Sequence, residues 1–135
     1  DYFNSYSYFG IHRQMLSDKH RTDTYRDALT LNPSLIQGKN VMDVGCGTGI
    51  LSLFSAQAGA KKVVAVDGSA VIAQVARENI TANGYEGVIE VVQGKLEDQK
   101  SMPAEVESRQ VDVIVSEWMG YALTYESMLD TVLYA

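Results

Sequence analysis

Cysteine is almost missing from this chain. Cys46 is the only one, so no internal disulfide can form, and a reducing compartment fits. Histidine is nearly as scarce. His12 and His20 have no second histidine or cysteine at a metal-ligand spacing, which leaves a zinc site unsupported. His12 has two readings, a place near the substrate or, the stronger one, a structural hydrogen bond. No apolar run approaches the ~20 residues of a membrane span. The aromatic, polar first residues do not read as a signal peptide. Positive charge is also short: 11 Lys and Arg face 17 Asp and Glu, a net charge of -6. The basic face that a nucleic-acid binder needs is therefore lacking, and an acidic surface favours a basic partner. What is present is ordinary globular composition, 46% hydrophobic and 21% charged in 135 residues, enough for one domain with a core. The chain starts inside an aromatic segment and ends on "TVLYA" with no helix-stop signal, so it is expected to be part of a longer protein.

The order of elements is legible from apolar periodicity. Residues 1 to 31 are expected to be helical, broken at Gly10 and Asp18 and stopped by Asn32-Pro33. "NVMDVG", "KKVVAVDG", "GVIEVVQG" and "VDVIVSE" read as four short buried strands. "ILSLFSAQAGA", "SAVIAQVARENITANG" (with Ser69 as N-cap) and "YESMLDTVLYA" read as helices, and "SMPAEVESRQ" as a loop or frayed helix. Continuous rather than alternating strands, separated by helices, give an α/β class: a Rossmann-like, mostly parallel sheet with helices on both faces. The division expected is a helical segment over 1–32 followed by the Rossmann-like domain over 33–135. In such sheets ligands sit beyond the carboxyl ends of the strands. Asp43, Gly45, Gly47, Gly49, Asp67, Glu97 and Glu117 all fall at or just after those ends.

Two stretches carry chemistry. "DVGCGTGIL" places glycines at 45, 47 and 49, so a ligand can approach the backbone closely. Ile50 stands where a dinucleotide fingerprint wants a small residue, and Asp43 puts an anion beside the loop. Both features suit a ligand with a nearby positive charge and no phosphate, such as S-adenosylmethionine, better than a pyrophosphate. Asp67 suits ribose hydroxyls, a role shared with nicotinamide sites, or is simply a turn residue before Gly68. Glu97 suits an adenine amine or is a solvated loop charge. Cys46 reads as a small buried residue. "SEWMGYALTYES", residues 116 to 127, holds Glu117 and Glu126 apart by uncharged, largely aromatic and apolar residues. Read alone, they are a strand-end charge and a first-turn helix residue, or else a pair awaiting a cation.

Together "YFNSY", "IHRQML", "DVGCGTGILS", "VDGS" and "SEWMGYALTYESML" resemble the catalytic domain of protein arginine N-methyltransferases of the asymmetric-dimethylating kind. Within that family the aspartate at 67 and "VGCGTGILS" are most similar to the type-3, ribosomal-protein subgroup. The resemblance implies that the chain is the cofactor-binding half of an S-adenosylmethionine-dependent enzyme. Arg21 would pair with the cofactor's carboxylate. Asp43, Gly45 and Gly47 would line its amino end, Asp67 would hold the ribose and Glu97 would meet the adenine. Tyr2, Phe3 and Tyr6 would fold over the cofactor, and Met15 and Met128 would shape a pocket permitting asymmetric dimethylation. Glu117 and Glu126 would grip the substrate guanidinium. Asp18 would pair with a histidine of a later loop near a C-terminal β-barrel. Asn4 departs from the acidic residue often found at its position. The partners implied are arginine/glycine-rich proteins, histone or ribosomal, without direct nucleic-acid or membrane contact. The parent enzyme would be a homodimer, cytoplasmic or nuclear, and this chain by itself would bind cofactor weakly or not at all and transfer methyl groups poorly. A nicotinamide-dependent dehydrogenase and a non-catalytic binding module are the rival readings.

Overall fold

The computed structural model describes residues 9–97, 102–103, 106, 110–118 and 128–135, with the side chains of Phe9, Met128 and Leu129 outside that description. Four parallel strands form the sheet: β1 (Asn40–Val44), β2 (Lys62–Asp67), β3 (Ile89–Gln93) and β4 (Val113–Val115), in the order β3-β2-β1-β4. Along the chain run α1 (Phe9–Ser17), α2 (Lys19–Thr30), α3 (Pro33–Ile36), α4 (Ile50–Gln57), α5 (Ala70–Ala82) and α6 (Met128–Tyr134).

Why the strands are apolar throughout is visible in the two clusters they feed. Val41, Val63, Ala65 and Ile89 pack with Ile36 of α3, Leu53 of α4, and Ala76 and Ile80 of α5. Their alternates Met42, Val44, Val64 and Val66 pack with Leu96 and Met102 on the other side. Both faces are therefore covered, as a parallel sheet requires. Among the described residues, the helices α3, α4 and α5 lie on the first face, and the second is closed by the chain between β3 and β4. This is the α/β, Rossmann-like parallel sheet that the strand–helix order implied.

Local signals explain the boundaries. Ser69 Oγ accepts from the Ile72 N–H and caps α5, a bond that stabilises a helix by about 1 kcal/mol. Asp18 accepts from the Arg21 N–H and caps α2. Thus Asp18 does break the first helix. Gly10 lies in the first turn of α1, which begins at Phe9 beside residues outside the description. Pro33 both follows the end of α2 and opens α3, since a first helical position needs no N–H. The fourth strand is shorter than "VDVIVSE" suggested, with only Val113–Val115 in register beside Val41–Asp43. Most of "SMPAEVESRQ" and residues 119–127 lie outside the described residues.

Candidate functional site

The carboxyl ends of β1 and β2 are stitched together by the backbone. Gly45 and Cys46 N–H groups both donate to the Val66 carbonyl, at 2.9 and 3.0 Å. Asp67, at the end of β2, accepts from Gly47 N–H through Oδ2 and from Ser69 N–H through Oδ1, both at 2.9 Å. Asn79 of α5 donates to the Thr48 carbonyl at 3.1 Å and pins the loop from the side. Gly47 has φ 55° and Gly49, the N-cap of α4, has φ 88°, values that favour glycine. At Gly47 a Cβ would sit 3.1 Å from the His12 ring, so glycine is also what lets α1 close over the loop.

Behind the loop, Asp43 is 1% exposed. Ser52 of α4 donates to its Oδ2 at 2.7 Å, while among the described residues Oδ1 has no hydrogen-bond partner. Burial pushes its carboxyl up to about 7, the Asp67 charge adds to this, and the Ser52 bonds oppose it. Burial likewise raises the Cys46 thiol, with Asp43 and Asp67 adding, so Cys46 is an inert packed residue as expected.

Across from the loop, Ser116 ties the end of β4 to β1 by donating to the Val44 carbonyl at 2.8 Å. This places Glu117 beside α2. Its Oε2 accepts from Arg21 Nη2 at 2.6 Å, with side-chain exposures of 17% and 27%. Arg21 Nη1 also donates to the Met15 carbonyl at 3.4 Å, and its guanidinium lies 5.5 Å from the Tyr25 ring centroid. Burial raises the Tyr25 hydroxyl, the Glu117 charge adds, and Arg21 opposes.

A cavity of about 450 Å³ lies between these two walls, within the range of small-molecule sites. Asp43, Gly45, Gly47, Asp67 and Glu97 line it from the strand ends. Met15, Arg21 and Glu117 line it from the helical side. Eight of the proposed site residues thus share one cavity. Phe3, Tyr6 and Glu126, with Tyr2, lie outside the described residues, as does the side chain of Met128.

Four of these residues have partners within the chain. Glu117 already holds a guanidinium, supplied by α2. Arg21 spends one N–H on Glu117 and one on Met15, out of the five a guanidinium carries. Asp67 braces the loop, with one backbone N–H on each oxygen and further lone pairs left over. Glu97 is exposed and accepts from Thr131 of α6 at 2.9 Å. His12, for which a place near the substrate was one of two readings, is buried in the cavity wall against the glycine loop. Its spacing of three from Met15 on one helix face was the available signal. Ser52 and Thr131 were also missed; a serine inside the apolar run "ILSLF" is a faint hint of a buried partner, and nothing marks Thr131.

The donor set fits a zwitterionic amino-acid end joined to a nucleoside. Asp43 Oδ1 wants a cationic donor, Arg21 retains N–H groups for an anion, and the glycine loop leaves room for close approach. Among the described residues, no His, Cys, Asp and Glu cluster could hold a metal, and no helix is long and apolar enough to cross a membrane.

Comparison with known proteins places this geometry. Residues 20–130 match the family model described as Ribosomal protein L11 methyltransferase (PrmA). The chain is 57% identical to a probable protein arginine N-methyltransferase 3 of Arabidopsis thaliana, matching all of this chain and 23% of that protein. It superimposes with a TM-score of 0.86 and 56% identity on the Trypanosoma brucei PRMT1 enzyme–prozyme heterotetrameric complex with AdoHcy, covering 96% of this chain and 38% of that one. Protein arginine methyltransferase 10 of Arabidopsis thaliana gives a TM-score of 0.88 at 46% identity, covering 97% and 36%. The chain therefore spans well under half the length of these relatives. The family model and the relatives name different protein targets and agree on methyl transfer; at 57% and 56% identity over essentially the whole chain, it belongs to the protein arginine N-methyltransferase family of methyltransferases.

Proposed function

We propose that this chain binds S-adenosylmethionine in the cavity and serves methyl transfer to the guanidino nitrogen of arginine in a protein substrate. The observation that carries the reading is the Arg21–Glu117 contact. Opposite the glycine loop, a carboxylate set at the end of a buried strand closes on a guanidinium at 2.6 Å. The wall is thus shaped for the group that the substrate would bring. AdoHcy in the Trypanosoma brucei relative supports the choice of cofactor.

When bound, the cofactor supplies an electrophilic methyl group on a sulfonium. The chain's own residues do the rest. Gly45 and Gly47 let the amino-acid end approach the backbone, and Arg21 turns its remaining N–H groups to the cofactor's carboxylate. Asp67 offers its spare lone pairs to the ribose hydroxyls, and Glu97 accepts from the adenine amine. Glu117, with Glu126 from the neighbouring segment, holds the substrate guanidinium, which stays protonated at neutral pH and is a poor nucleophile. Two carboxylates draw its charge toward the gripped nitrogens and leave electron density on the nitrogen aimed at the methyl group. Alignment at near-attack distance, worth roughly 7–11 kcal/mol in good intramolecular cases, supplies the remainder. We extend the proposal to asymmetric dimethylation, with Met15 in the cavity wall and Met128 opening α6, to arginine/glycine-rich substrates, and to a dimeric parent enzyme. The division into a cofactor-covering segment over 1–32 and a Rossmann-like domain over 33–135 belongs to the same proposal.

The test is Glu117→Gln in the full-length enzyme. Glutamine keeps a carbonyl for Arg21 but removes the charge. Methylation of an Arg-Gly-rich peptide, followed by mass spectrometry, should fall by about 100-fold, the scale of losing one charge-stabilising group. AdoHcy affinity should stay within a few-fold. Near-normal turnover with intact cofactor binding overturns the role of Glu117.

A further inference from the structure

One buried ionisable group lacks a full set of partners. Asp43 is 1% exposed, and only Oδ2 receives a donor, from Ser52. Oδ1 receives none. As an anion, such a group bears the full cost of lost hydration. The ionisable groups around the same cavity come from every side: His12 on α1, Arg21 and Tyr25 on α2, Cys46 in the loop, Asp67 after β2, Lys95 and Glu97 after β3, and Glu117 after β4. The cations do not relieve Asp43. Arg21 is bonded to Glu117 and to the Met15 carbonyl, and no donor from Lys95 reaches Oδ1. Asp67 makes matters worse, since its negative charge raises the Asp43 carboxyl further. Burial, that charge and the opposing Ser52 bonds leave the group at about 7.

We propose that Asp43 receives the cofactor's ammonium group as a carboxylate and gives up a proton to solvent when it does so, which couples cofactor capture to pH. The inference rests on reading the cavity as an S-adenosylmethionine site. The balance is simple: one carboxyl O–H bond breaks, the proton leaves to water, and an N–H of the ammonium donates to the freed oxygen. No electrons change hands. The low-dielectric setting that makes the lone anion costly also strengthens the new pair. Asp43 therefore selects for a cationic amino end, and a ligand without one neither gains the pair nor expels the proton.

The consequence is a pH limb in affinity. Below about pH 7, where Asp43 holds its proton, each unit of acidification weakens binding about tenfold, because one proton is released per ligand bound. At higher pH the dependence levels off, until the ligand's own α-amino group, near 7.7–8.0 when free, begins to lose its charge.

Calorimetric titration of the full-length enzyme with AdoHcy at about pH 6, in two buffers of different ionisation enthalpy, counts the protons. The expected result is close to one proton released per ligand. In Asp43→Asn, an uncharged isostere, release should drop to near zero and the acid limb should vanish. In Ser52→Ala, loss of the opposing hydrogen bond should move the limb to higher pH, a shift that a purely structural role for Asp43 would not produce. Proton-silent binding by the unaltered full-length enzyme, equal release in Asp43→Asn, or an unmoved limb in Ser52→Ala overturns the proposal while leaving the cofactor site standing. If the unaltered full-length enzyme shows no AdoHcy binding at any pH, the site reading falls, and the proposal with it. Where Asp43→Asn loses its circular-dichroism signature of folding, the Ser52→Ala limb decides.

Discussion

The glycine-loop wall and the Arg21–Glu117 wall enclose one cavity and are held by different forces. The loop wall is made of backbone. Its N–H groups are committed to Val66 and Asp67, its turns need left-handed φ, and the Asp43 carboxylate is sealed behind it. The opposite wall is made of side chains that meet across 96 residues of sequence at a partly exposed ion pair. Steric fit and desolvation govern the first wall. Coulomb attraction, softened by water and salt, governs the second. A ligand must therefore adapt to the first wall and can rearrange the second.

The largest effect should appear at Asp43, in stability without any ligand. Its carboxyl is raised from the ordinary 3.8 to about 7, so the folded state holds more protons than the unfolded state between those values. Stability then falls as pH rises through that window, by up to roughly 4 kcal/mol from this group, and is flat above it. Asp43→Asn removes the fall but buries an amide N–H without an acceptor, at about 1–3 kcal/mol. The variant should therefore match or trail the unaltered chain near pH 4 and exceed it by about 1–3 kcal/mol near pH 8. Urea unfolding across pH measures this. Parallel stability–pH curves would show that the loop wall bears no such desolvation cost.

Next in size is Gly47. Alanine there meets both the left-handed φ of 55° and the His12 ring at 3.1 Å. Gly38 has a similar φ of 72° with nothing within 4 Å, so it isolates the conformational part. Gly38→Ala should cost about 1 kcal/mol, the usual left-handed penalty, and Gly47→Ala about 1–3 kcal/mol with a loss of AdoHcy affinity of tenfold or more. Equal losses at the two positions would mean that α1 yields freely and that the His12 contact does not shape the site.

The same contrast explains what the sequence disclosed. The loop wall is local: Asp43, the three glycines and Asp67 sit at strand ends within one βαβ unit, and apolar runs of the right length announce those ends. Sequence order alone therefore gathers them. The helical wall is not local. That Arg21 meets Glu117 follows from where α2 crosses the end of β4, and no periodicity encodes it. The pairing of Glu97 with Thr131 is hidden for the same reason. Ser52 and His12 were obscured differently, because a polar side chain on an apolar helix face declares a buried partner without naming it.

The smallest effect should lie in the ion pair itself, and it separates the two walls most cleanly. Arg21 and Glu117 keep 27% and 17% of their side-chain exposure, so water screens the 2.6 Å contact and the discounted coupling should be about 1 kcal/mol. A double-mutant cycle of Arg21→Lys and Glu117→Gln in urea unfolding measures it. Lysine keeps a charge for Glu117 but cannot also reach the Met15 carbonyl and stack on Tyr25, so most of the coupling should be lost with the fork rather than with the charge. Raising salt from ~0.1 M to ~1 M, which shortens the Debye length from about 10 to 3 Å, should shrink the coupling without abolishing it. The Gly47→Ala penalty should not move under the same change, because a clash and a forbidden φ carry no charge to screen. If salt weakens both alike, the two walls are not separate devices, and a ligand bound at one would have to strain the other.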